Sequence, residues 1–239
     1  MDAFVDPELA AVLRSRTSAR IAIGRAGTRS PTLNLLELRA DHAAARDAVL
    51  SEVPPDFALY TNSAVSVSTR AADRREHLLR PDLGRLLRPE DEDKIRQLAD
   101  RGCDVLVAFG DGLSSEAVTA QVPALLPALF AGLALENVGR VCGPVMVRHA
   151  RVGLMNQLGE LAQASVVILL VGERPGLSTS RSLSAYLGWE PRPGKTDADR
   201  NVVSNIHEEG LPAHLAGAQV AKWAVAMLRQ RTSGYLFAA

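Results

Sequence analysis

The stretch Val166-Val-Ile-Leu-Leu-Val171-Gly172-Glu173-Arg174-Pro175-Gly176 decides the fold class of this 239-residue chain. Its six leading residues are all apolar, largely β-branched, and show no polar alternation. That pattern marks a strand buried on both faces, the kind found in parallel sheets covered by helices on either side. The glycines and proline that follow end the strand abruptly. In open α/β sheets ligands bind in the crevice beyond the carboxyl ends of strands, so Glu173 stands where a ligand would be met.

Working outward from this strand, short apolar runs alternate with longer helical patterns. Strands are predicted at 57–60, 104–109, 141–147, 183–189 and 201–206, and helices at 90–101, 115–135, 153–164 and 212–230. The expected fold is α/β, a Rossmann-like, mostly parallel sheet flanked by helices. A small helical N-terminal domain, residues 1–53, precedes it. In that part Asp6 and Pro7 open a short helix, and Thr32 is placed to cap a longer one running to about residue 53. Pro54-Pro55 ends that helix, and the α/β domain is expected to fill residues 54–239.

Bulk composition narrows the function classes. The chain carries 27 basic and 27 acidic residues, so the long-range attraction that starts most binding to nucleic acid or an anionic membrane is missing. The two cysteines, Cys103 and Cys142, sit in no CxxC or zinc spacing and cannot make a disulfide framework, which suits a reducing compartment. The most apolar stretch, 122–135, is broken by Pro123, Pro127 and Gly132 and falls short of the roughly 20 residues a membrane-spanning helix needs. The N-terminus has no secretory h-region. The cytoplasm is therefore the expected compartment.

Three polar loops follow predicted strands: Gly110-Asp111-Gly112-Leu113-Ser114, Gly172-Glu173-Arg174-Pro175-Gly176, and His207-Glu208-Glu209. Taken singly they read as turns, with Ser114 capping the next helix. Taken jointly they read as one ligand rim. Gly24-Arg25-Ala26-Gly27 lacks the spacing of a dinucleotide site or a P-loop and reads as a structural turn. The five histidines show no HExxH or HxxxH spacing, so they are expected at the surface or at interfaces and no metal site is expected. Arg140, Arg148, His149 and Arg151 read as a basic cluster that is either a solvated face or a contact for a partner's carboxylates. No GxSxG elbow is present.

Seven stretches in order resemble the small subunit of ethanolamine ammonia-lyase: ARIAIGRAG (19–27), LRADHAAARDAV (38–49), LLRPDLGR (78–85), GDGLS (110–114), RVGLMNQLGEL (151–161), VVILLVGERPGL (166–177) and DADRNVVSNIHEEGLP (197–212). The resemblance implies an adenosylcobalamin-dependent radical lyase that converts ethanolamine to acetaldehyde and ammonia. It implies that the catalytic residues belong to a large TIM-barrel partner, that the assembly is a hexamer of heterodimers, and that this chain is inactive alone and closes over the cobalamin. By motif the cobalamin contacts fall on Val152, Glu173 and Val202. Val202 replaces a cysteine found in some members. The chain has no Asp-x-His-x-x-Gly element, so base-on cobalamin is expected, with no protein residue on cobalt. It also lacks the longer N-terminal extension of some members, which leaves packaging in a bacterial microcompartment unsupported. Two other readings stand beside this one, a free-standing nucleotide-using α/β enzyme and an assembly module that never touches a cofactor.

Overall fold

A computed structural model describes residues 6–17, 19–54, 56–63 and 65–238. Six strands form one sheet: β1 (Val65–Ser68), β2 (Val105–Gly110), β3 (Val141–Arg148), β4 (Val166–Gly172), β5 (Leu183–Trp189) and β6 (Arg200–Ile206). Among the described residues eight α-helices accompany them: α1 (Pro7–Arg14), α2 (Thr32–Leu50), α3 (Phe57–Tyr60), α4 (Arg74–Leu79), α5 (Pro89–Leu98), α6 (Ser115–Leu135), α7 (Met155–Ala162) and α8 (Ala213–Gln230).

The strand order is β1-β3-β2-β4-β5-β6. β1, β3, β2 and β4 run parallel, whereas β5 is antiparallel to β4 and β6 antiparallel to β5. The mostly parallel α/β sheet expected from the alternation is present, and the last two strands depart from it for a reason of length. Only about ten residues separate β4 from β5 and β5 from β6, too few for a crossover back to the same end, which takes a dozen or more. Because the direction reverses twice, β6 again points the same way as β4. The ends of β2, β4 and β6 therefore share one rim, and β5 starts there.

Strand periodicity divides the core. Val105, Val107, Phe109, Ile168 and Leu170 face α6 and α8, while Leu106, Ala108, Val167 and Leu169 face α5 and α7. Successive residues of a strand point to opposite faces, so the unbroken apolar runs of β2 and β4 fill both layers at once. α6 is long and apolar enough, by length and composition, to cross a membrane. Here it packs between the sheet and α8, with Leu125, Leu129 and Leu133 fully buried. Pro123 and Pro127 do not interrupt it. Both lie on its exposed face, where water can satisfy the carbonyls their missing N–H groups leave unpaired.

The predicted strand at 57–60 is instead the single helical turn α3. Phe57 turns inward and meets the Phe109 ring edge-on, with centroids 6.0 Å apart at 88°, a favourable aromatic geometry. The strand of this region comes later, as β1, after Asn62 reverses the chain in the left-handed region. Ahead of it, Asp6 caps α1 as expected, accepting from the Glu8 N–H at 2.9 Å. α2 starts at Thr32 with Pro31 in the cap position and no side-chain cap bond, so Thr32 lies inside the helix. Of its 19 residues only Ala48 is buried. Two contacts anchor its end to the α/β body: Ser51 Oγ meets Ser115 Oγ at 2.5 Å, and Arg74 Nε donates to the Val49 carbonyl at 2.7 Å.

Candidate ligand cleft at the strand ends

Two turns make the floor of an open cleft on the shared rim. The turn after β2 presents Gly112 and Leu113, and the turn after β4 presents Gly172, Glu173 and Arg174. The Leu113 N–H donates to the Gly172 carbonyl at 2.9 Å and ties the two together. Gly112 adopts φ +53°, and a Cβ there would strike the backbone of Gly172. The approach is close enough that neither turn tolerates a side chain at its contact point. Arg151 and Val152 enter from the segment after β3, Ser184 and Tyr186 from β5, and Val202 and Ser204 from β6. The cleft has a volume of about 350 Å³ and opens to solvent.

Glu173 is held from several sides. Ser182 Oγ donates to Oε2 at 2.6 Å, Ser184 Oγ donates to Oε1 at 2.6 Å, and the Asn205 N–H donates to Oε1 at 2.9 Å. A carboxylate offers about four lone-pair directions. Three are used, so Oε2 keeps one for a ligand N–H. Tyr186, lining the same cleft, has its phenol pushed up, first by burial and then by the charge of Glu173.

Beneath the floor lies a buried polar network. The Gly112 carbonyl accepts from Arg74 Nη1 at 2.8 Å and bonds His77 Nε2 at 2.9 Å. A carbonyl only accepts, so the His77 proton sits on Nε2, and the buried Nδ1 has no protein partner. Burial foremost, with the cationic Arg151 next, drives His77 down to about 3, so the ring is neutral at any working pH. Asp111 Oδ2 pairs with Arg74 Nη1 at 3.3 Å, and its Oδ1 accepts from the Ala150 N–H at 3.1 Å. Burial pushes the Asp111 carboxyl up, opposed by Arg74. His149 stacks on His77, centroids 5.6 Å apart at 29°, and Arg151 Nη2 donates to the His77 carbonyl at 2.8 Å.

The residues carried by motif, Val152, Glu173 and Val202, come from three separate elements and line this one cleft. Other expectations need correction. His207, Glu208 and Glu209 do not join the cleft and instead line a separate hollow with Gln121, Thr179 and Arg181, because β6 runs past the cleft before it ends. Arg140 and Arg151 do not cluster. β3 lies between them, and Arg140 pairs with Asp100 at the other end. His77 and His149 are buried, not superficial. Ser114 caps α6 as expected, accepting from the Ala117 N–H at 3.1 Å, and its own turn forms part of the cleft floor. Gly24 to Gly27 runs into a tight turn closed by the Ala26 N–H to the Arg29 carbonyl at 2.7 Å. Sequence reading missed Arg74, His77 and the two serines on Glu173. A signal existed for the first: an acidic residue ending an all-apolar strand, as Asp111 does, requires a buried cation.

These features define an α/β protein with a candidate ligand cleft on the carboxyl rim of its sheet, shaped to cover one side of a ligand only. Within that class, the chain belongs to the ethanolamine ammonia-lyase light chain family, whose model matches residues 7–237. The ethanolamine ammonia-lyase small subunit of Clostridium perfringens is 42% identical over 96% of this chain and 77% of its own length. That of Clostridioides difficile is 43% identical over 96% and 78%, and that of Lachnoclostridium phytofermentans 41% over 93% and 74%.

Proposed function

We propose that this chain is the cofactor-covering subunit of an adenosylcobalamin-dependent ethanolamine ammonia-lyase, joined to a large TIM-barrel subunit that carries the catalytic residues. The observation that carries the reading is the convergence of Val152, Glu173 and Val202 on one open cleft in a chain of this family.

The donor set suits a corrinoid. Corrin is a flat apolar ring fringed with neutral amides, and it calls for small apolar contact surface with a few acceptors. Val152 and Val202 supply the first, and Glu173 Oε2 has a lone pair for an amide NH2. When bound, adenosylcobalamin supplies a cobalt–carbon bond that cleaves homolytically and starts radical chemistry on ethanolamine. This chain's residues hold and orient the ligand and shield one of its sides from water. This chain carries no Asp-x-His-x-x-Gly pattern, so its residues would hold the cofactor's periphery and would leave cobalt to the cofactor's own base. Because the cleft is open, a second protein must cover the opposite side. A hexamer of heterodimers in the cytoplasm, inactive when the large chain is missing, completes the proposal.

Co-expression with a candidate large subunit tests it. Acetaldehyde should form from ethanolamine only when both chains and adenosylcobalamin are present. Turnover by this chain alone, or turnover by the pair without the cofactor, overturns the reading.

A further inference from the structure

A second groove continues from the cleft, and Leu113, Arg151 and Arg174 line both. It measures about 770 Å³ and runs between the C-terminal half of α2 and the turn after β4. Apolar walls come from Val49, Leu78 and Leu177. Its ionisable lining is wholly basic: His42 and Arg46 from α2, Arg151 after β3 and Arg174 after β4, with no carboxylate among the described lining residues.

Among the described residues no carboxylate makes an ion pair with Arg46, Arg151 or Arg174. Arg46 and Arg174 are exposed and pair with no described side chain. Arg151 spends Nη2 on the His77 carbonyl, while its buried Nε has no protein partner. The like charges of Arg74, Arg174 and Arg85 all bear on Arg151, with Asp111 opposing. Guanidinium groups gathered from separate elements without a counter-charge make a site for a phosphate-type anion, which their planar fork matches.

Resting on the cobalamin reading above, we propose that this groove takes the phosphodiester of the cofactor's nucleotide loop, with Arg46 and Arg174 as its charge partners and Arg151 behind them. The charge sorting of the two compartments favours this occupant. Cobalamin's periphery is neutral amide except for that one phosphodiester. In the protein the one carboxylate, Glu173, lies in the cleft and is already held by three donors, while Arg151 and Arg174 stand where the cleft opens into the groove, so the uncompensated positive charge lies on the groove side. Carboxylates of a partner protein would also meet arginines, but they do not require continuity with the cleft that holds Val152, Glu173 and Val202.

The test uses the complete complex with its large subunit and the double variant Arg46→Ala, Arg174→Ala, whose side chains are exposed and outside the buried network. Dissociation constants are measured by equilibrium dialysis for adenosylcobalamin and for adenosylcobinamide, which lacks the phosphodiester and nucleotide. The variant should lose about tenfold to a hundredfold in affinity for the first and about tenfold less than that for the second, for which Arg174 keeps only its contact in the cleft. Inorganic phosphate should weaken adenosylcobalamin binding to the wild type and not to the variant. Equal affinity of variant and wild type for adenosylcobalamin, equal loss for both corrinoids, or insensitivity of the wild type to phosphate overturns the assignment. So does failure of the variant to co-purify with the large subunit, which would give the arginines to partner carboxylates. A wild-type complex that binds neither corrinoid instead overturns the cobalamin reading itself.

Discussion

Ser184 Oγ, on the strand beside β4, donates to Glu173 Oε1 at 2.6 Å and holds the carboxylate at the lip of the cleft. Ser182 and the Asn205 N–H complete the clamp, so the free lone pair of Oε2 is fixed in direction before any ligand arrives. Such preorganisation raises affinity by removing ordering cost from the binding step. Glu173→Ala should therefore lower the affinity of the assembled complex for adenosylcobalamin by about tenfold, the worth of one hydrogen bond to a charged acceptor. Assembly should be retained. Ser184→Ala should show a smaller loss in the same dialysis measurement, since two donors remain. If Glu173→Ala binds as the wild type does, the chain braces its partner without touching the cofactor.

Val202 is 42% exposed although it lies in a strand, because β6 closes the sheet and its outer face looks into the cleft. It packs little of the core, so its replacement should shift stability by no more than about 0.5 kcal/mol. Val202→Cys should keep cofactor affinity within about twofold, since cysteine behaves as a small apolar residue. Val202→Asp should reduce it by more than about tenfold by setting an unpaired charge against an apolar ring. An aspartate variant that binds normally would remove Val202 from the contact surface.

Acid should loosen the floor through His77. Its folded-state pKa of about 3 lies below the ordinary histidine value, so between the two the unfolded chain binds a proton that the folded chain does not. Stability from this group is thus full near neutral pH and falls as pH drops below about 6.5, by about 2 kcal/mol at pH 5. Asp111, pushed the other way by burial, contributes with opposite sign. Comparison with His77→Gln isolates the histidine, since an amide can still donate to Gly112 without titrating. In urea unfolding, the stability advantage of wild type over His77→Gln should shrink by about 2 kcal/mol between pH 7.5 and pH 5. A constant difference would mean that His77 titrates normally.

The apolar runs of β2 and β4 were legible in the sequence because a strand buried on both faces leaves no other reading of six unbroken apolar residues. α6 was legible end to end, its prolines notwithstanding. The mostly parallel sheet was legible in the alternation of strands and helices, while the direction of β5 and β6 is written in loop length, not in strand composition. α3 looked like a strand because four residues carry no periodicity that separates a turn of helix from an extended run. The cleft residues Val152, Glu173 and Val202 came through resemblance, and without it the two valines read as core. Arg74 and His77 were hidden because α4 is short and charged, so that nothing local says these side chains turn inward toward the Gly112 carbonyl.

Gly172 gives the sharpest test of the floor. A Cβ there would overlap the Ser114 carbonyl and crowd that of Asp111, both backbone atoms that no rotamer change can clear. Gly172→Ala must therefore push the two turns apart and stretch the bond from the Leu113 N–H to Gly172, now 2.9 Å. Overpacking of this kind costs about 1–3 kcal/mol, which in a chain of this length lowers the melting temperature by roughly 3–10 °C. The same movement displaces Leu113 and Glu173 together, so cofactor affinity should fall as well. Gly176→Ala provides the control four residues along the same loop. Its Cβ would meet nothing nearer than the Thr179 carbonyl at 3.8 Å, so melting should stay within about 2 °C of wild type. Should the two variants melt and bind alike, the contact between the turns is not what sets the cleft floor.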